Sequence, residues 1–87
     1  LQDYNKVIQL RNSPWALTQR GDVRLKMRDY KGAIADANQA LRLSEKFPDA
    51  YELRSEAKRQ LGDQKGAIAD QQKAEAFYNS YSEEEDL

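Results

Sequence analysis

The sequence predicts an all-α array of stacked, antiparallel helix pairs, and three observations lead to that expectation. The segment Lys31-Gly32-Ala33-Ile34-Ala35-Asp36 returns unchanged as Lys65-Gly66-Ala67-Ile68-Ala69-Asp70, an offset of 34 residues. Pro14/Pro48, Ala16/Ala50, Arg20/Arg54, Asp29/Asp63 and Ala40/Ala74 keep the same register, and a fixed period of this length marks one supersecondary unit stacked on its copy. Apolar residues make up only 39% of the 87 residues, and mean hydropathy is -1.00. Those values alone suggest disorder, but alanine accounts for the discrepancy, being the best helix former while scoring weakly as a hydrophobe.

The elements follow in order. Residues 1–12 place Tyr4, Val7, Ile8 and Leu10 near helical spacing, with Asp3, Asn5, Lys6 and Gln9 between them. Asn12-Ser13-Pro14 ends that helix and opens the next, because Ser13 can accept from free amides and Pro14 suits the first helical position. The helix from about residue 14 to 28 is expected to turn Leu17, Gly21, Val23 and Met27 inward. Arg24, like Lys58 later, is expected to lay its stem over apolar surface with its charge in water. Asp29 and Asp63 are the expected caps of the helices that follow them. Gly32 and Gly66 fall in the first turn, where glycine costs about 1 kcal/mol relative to alanine, which suggests a backbone contact too tight for a side chain. Ala33, Ile34, Ala37, Ala40, Leu41 and Leu43 form the next apolar face, through to about Ser44.

The fourth helix, about 48 to 61, carries Tyr51, Ala57 and Leu61 inward, and the fifth runs from near Gln64 to about Tyr81. In it Gln71, Gln72, Glu75 and Ala76 replace Ala37, Asn38, Leu41 and Arg42. A more polar outer face suits the last helix of an array, with Phe77, Tyr78 and Tyr81 folding against the end. Arg20 is expected to pair with Asp3 and Arg54 with Asp36, between successive units, leaving Asp70 without a partner.

Ala16-Leu17, Arg20-Gly21, Asp29-Tyr30, Ala33-Ile34 and Ala40-Leu41 in the first unit resemble the tetratricopeptide repeat. In the second unit Ala50-Tyr51, Arg54-Ser55, Leu61-Gly62-Asp63, Ala67-Ile68 and Ala74 do the same. Arg24 and Lys58 depart from it, standing where the family often has an aromatic. The resemblance implies a right-handed solenoid of five helices in a domain over residues 1–82. Within it, 1–12 would be the second helix of a truncated repeat, 14–47 a repeat, and 48–82 a repeat with an extended last helix; 83–87 would be an acidic tail. It also implies a protein-binding scaffold or adaptor that holds a peptide or partner surface in a concave groove.

Composition narrows the chemistry. The chain has no cysteine and no histidine, which removes disulfides and the usual nucleophile, proton shuttle and soft metal ligands. No cofactor, metal or catalytic residue is expected, and no apolar run approaches the ~20 residues of a membrane span. Lys and Arg number 14 against 15 Asp and Glu. Setting aside Glu83, Glu84, Glu85 and Asp86 leaves eleven acids and an excess of three positive charges. Arg20, Arg24, Arg28 and Lys31, with Lys58, Arg59 and Lys65, approximate a basic stripe. Nucleic-acid binding normally asks for a larger excess and a reader motif. A cytoplasmic, intracellular chain is expected, beginning inside a helix as a piece of a longer one would.

The candidate site is a stripe on the first helices. Thr18, Asp22, Leu25 and Lys26 lie on one helical face, and Glu52, Glu56, Arg59 and Gln60 repeat it. Trp15, Gln19, Asp49 and Leu53 extend both rows. Asp22, Asp49, Glu52 and Glu56 outnumber Lys26 and Arg59, so the expected ligand is a basic or mixed-charge segment with an apolar anchor. The same pattern also suits a plain solvated face, and Trp15 suits either a peptide contact or packing on a helix end. In the subfamily that clamps chaperone C-terminal carboxylates, lysine, asparagine and arginine hold the ligand; here Thr18, Gln19, Asp22, Asp49 and Leu53 take those places, and acids repel a carboxylate. Two rival functions stay open: a structural module that self-associates as a homo-oligomer through open helix faces, and a regulatory appendage of a larger enzyme or co-chaperone.

Overall fold

A computed structural model of the chain describes residues 13–85. Within that range lie four helices and no strand: α1 (Pro14–Lys26), α2 (Tyr30–Leu43), α3 (Pro48–Gln60) and α4 (Gln64–Glu85). The expected helix over residues 1–12, with the Asp3 partner of Arg20, lies outside the described residues, as do the side chains of Tyr81 and the acidic run. α1 packs on α2 and α3 on α4, α2 joins the two pairs, and α1 also touches α3. No described helix is long and apolar enough to cross a membrane.

Local chemistry sets the helix ends. The Ser13 hydroxyl accepts from the amides of Trp15 at 3.1 Å and Ala16 at 3.3 Å, with Pro14 at the first helical position. Asp29 accepts from Gly32 N at 3.0 Å and Asp63 from Gly66 N at 2.9 Å. The two glycines answer to these caps: a Cβ on either would run into the carboxylate of its own cap residue. The tight contact expected there is therefore with a side chain rather than with backbone. At the end of α1, Asp29 N bonds Arg24 O at 2.8 Å and Arg28 N bonds Leu25 O at 3.0 Å. This is a Schellman closure, and it places Arg28 at φ 66°. Its counterpart 34 residues on is Gly62 at φ 90°, where the same closure carries no side-chain penalty.

The core is mostly alanine. Ala33, Ala37, Ala40, Ala50 and Ala57 are wholly buried beside Leu17, Leu41, Tyr51 and Leu53. Close approach is tightest at Gly21, where a Cβ would collide with the Leu53 side chain and lie 3.4 Å from Ala33 O. Ser55, the counterpart of Gly21, instead donates its hydroxyl to Ala67 O at 2.7 Å. Three residues expected inside are exposed. Met27 and Leu61 are the C-cap residues of α1 and α3, where the chain turns away, and the α2 stripe through Ala33, Ala37 and Ala40 continues to Ser44 rather than to Leu43. Val23 is half-buried.

Among the described residues the ion pairs run within helix pairs. Asp36, 1% exposed, receives Arg20 Nε at 3.1 and 3.2 Å and Nη2 at 2.6 Å, with Arg24 Nη1 at 3.3 Å. Asp70 receives Arg54 Nε at 2.9 Å and Nη2 at 2.7 Å, and Lys58 Nζ at 3.0 Å. Arg54 and Asp36 do not pair, and Asp70 is not left alone. The reason is geometric: antiparallel packing sets the middle of one helix against the middle of the next, 16 residues on. Arg24 and Lys58 thus spend their charge on a buried carboxylate rather than in open water. Across the pairs, Arg54 Nη1 donates to Asn38 Oδ1 at 2.8 Å.

Two outcomes follow. Arg28→Gly relieves a left-handed non-glycine residue and should raise stability by about 1 kcal/mol, read as a higher urea midpoint at unchanged slope. Burial pushes the Asp70 carboxyl up, but hydrogen bonds from Arg54 and Lys58 and their charges outweigh it and leave its pKa below the ordinary value. A depressed folded pKa contributes stability above the unfolded pKa that is lost as pH falls through the folded one. Asp70→Asn should cost roughly 2–3 kcal/mol at pH 7, below the cost of breaking a fully buried pair. That gap between wild type and variant should shrink toward pH 3 in urea titrations.

Candidate functional site

On the faces of α1 and α3 turned away from these clasps lies a groove of about 430 Å³. From α1 it is lined by Thr18, Gln19, Asp22 and Leu25, and from α3 by Asp49, Glu52, Leu53, Glu56 and Arg59. Helical spacing brings these nine expected residues together, since steps of three and four return to one face. Gln71 of α4 completes the lining. It escaped the sequence reading, which placed it on the outer face of the last helix; only the packing of α4 beside α3 brings it in. Trp15, Lys26 and Gln60 lie outside the cavity. Trp15 is 59% exposed, Lys26 is exposed near Asp22, and Gln60 donates to Glu56 Oε2 at 3.1 Å.

The lining residues differ in what they offer. Thr18 is buried and its hydroxyl donates to Pro14 O at 2.7 Å, so it closes its own helix. Leu53, 3% exposed, fills the space over Gly21 and forms the floor with the half-buried Leu25. Arg59 Nη1 bonds Glu56 Oε1 at 3.1 Å, which commits the cation of the lining to a neighbouring acid. Asp49 accepts from the Tyr78 hydroxyl at 2.7 Å. Glu52 is exposed. The groove therefore has an apolar floor and acidic walls.

Asp22 carries the clearest electrostatic mark. Burial pushes its carboxyl above the ordinary value, the charge of Lys26 opposes this, and the charge of Asp49 adds to it. A raised folded pKa means that its contribution to stability is lost as pH rises through that pKa. Asp22→Asn should therefore stabilise the fold at pH 7 and lose that advantage below pH 4, the reverse of Asp70→Asn, as thermal melts at the two pH values will read.

In the comparisons with known proteins, residues 16–47 match a family model described as Tetratricopeptide repeat. The search of curated proteins returned no match. Repeats of this family mediate protein–protein interaction. The matched stretch holds α1 from Ala16 onward, the Schellman turn, α2 and the connection to α3. The matched helix pair, with its close approach at Gly21, is thus similar to one tetratricopeptide repeat, and a second pair follows it in the same register.

Proposed function

We propose that the groove between α1 and α3 binds a basic or mixed-charge segment of a partner protein, with an apolar side chain of that segment resting on Leu25 and Leu53. The observation that carries this reading is the lining itself: among the described residues, Asp22, Asp49, Glu52 and Glu56 face one cavity with Arg59 as its single base, already paired to Glu56. Complementary charge steers an encounter and suppresses wrong partners, and the apolar floor offers burial of about 25 cal/mol per Å². Function on this reading is complementarity without chemistry, a rigid curved surface that brings one protein segment to another.

The rival reading, self-association through open faces, has one observation in its favour. Ile68 is 54% exposed, whereas its counterpart Ile34 packs against the core. Light scattering across a concentration series separates the two readings, because a groove binder keeps a monomer mass.

A displayed peptide library selected on the chain should yield segments rich in lysine and arginine around an apolar residue. Glu52→Lys, Glu56→Lys, with helicity verified, should lose those segments by at least about tenfold in affinity. Binding to the native chain should weaken as salt shortens the screening length to about 8 Å at 0.15 M. Equal binding by the reversed-charge variant would overturn the acidic-groove reading.

A further inference from the structure

α4 runs 22 residues where its counterpart α2 runs 14. Tyr78 stands 34 residues after Ser44, the residue that caps the end of α2. Where the first pair turns toward the next helix, the second stays helical and carries a phenol to the first turn of α3. There the Tyr78 hydroxyl donates to Asp49 Oδ1 at 2.7 Å, with the Glu52 carboxylate close by. Both acids line the groove, although Tyr78 does not. The bond to Asp49, then burial and the charges of Asp49 and Glu52, hold the phenol protonated well above its ordinary range, so it remains a donor wherever those acids are charged.

We propose that Tyr78 is an autoinhibitory contact on the groove: its hydroxyl occupies Asp49 in the free protein, and a cationic side chain of the bound segment displaces it. The proposal rests on the reading of the groove as a site for basic segments. A hydrogen bond to a carboxylate takes one of its acceptor positions and disperses its charge, so an ammonium group meets a weaker partner at Asp49 than the residue count suggests. Release is local. The Tyr78 ring is 42% exposed, while the neighbouring Phe77 anchors α4 through its contact with Tyr51 at a centroid distance of 5.5 Å. The phenol can swing outward with that anchor in place. Selectivity follows, because only a segment whose cation reaches Asp49 gains from opening the contact.

The test is calorimetric titration of an end-blocked pentapeptide, four lysines around a central leucine, into the native chain, Tyr78→Phe, Asp49→Asn and the double variant. Tyr78→Phe keeps the ring and removes the donor, and should tighten binding by about three- to tenfold, the scale of one solvent-exposed hydrogen bond's net contribution. In the Asp49→Asn background the same change should have no effect. Equal or weaker binding by Tyr78→Phe overturns the proposal while leaving the groove reading intact. Tightening that persists without the Asp49 carboxylate also overturns it. Absence of binding by all four proteins at native helicity removes the groove reading and this proposal with it.

Discussion

A buried carboxylate held by two cations governs the geometry of each helix pair. Asp36 lies between Arg20 and Arg24, and Asp70 between Arg54 and Lys58. Each acid is nearly excluded from solvent, where an unpaired charge would cost several kcal/mol. The cations reach it from the preceding helix, spaced four residues apart so that both lie on one face. Sliding or rotating one helix against its partner would strand the carboxylate, so the pairs fix register with chemistry that an alanine-rich interface lacks. Once that face of α1 and α3 is turned toward the second helices, the opposite face has to line the groove.

The joint between the pairs rests on shape. Gly21 leaves room for Leu53, whose side chain occupies the place a Cβ would claim, and Arg54 reaches back to Asn38. The same leucine forms the groove floor, so the contact that sets the angle between the pairs also sets the depth of the site. Ser55 occupies the position equivalent to Gly21 and uses its hydroxyl on Ala67 O. The small position therefore admits different solutions according to what packs over it.

The groove is asymmetric because the last helix is. α4 supplies Gln71 to the lining and Tyr78 to Asp49, where the first pair has Ala37 in α2 and Ser44 at its cap. Tyr51 shows the same local enrichment: its hydroxyl donates to Glu45 O at 3.0 Å, its ring meets Phe77, and Arg54 and Lys73 lie 5.5 and 5.6 Å from its centroid. Leu17, its counterpart, packs without such a polar frame. The second pair is thus better tied at the end where the acids Asp49 and Glu52 stand.

What could be read from the sequence was whatever depends on neighbours along the chain. The helix starts at Pro14 and Pro48, the caps Ser13, Asp29 and Asp63, the small position at Gly21 and most of the groove face follow from spacing and side-chain type, which act over three or four residues. Contacts between helices were beyond it, because periodicity states which face a residue occupies but not which residue of another helix it meets. Arg20, Arg24 and Asp36 were visible as recurring charges, yet their partners depend on the antiparallel offset of a packed pair. The same limit hid Tyr78 over Asp49 and Gln71 in the groove. A carboxylate chooses its partner by distance in three dimensions, and only the folded arrangement of α3 and α4 supplies that distance.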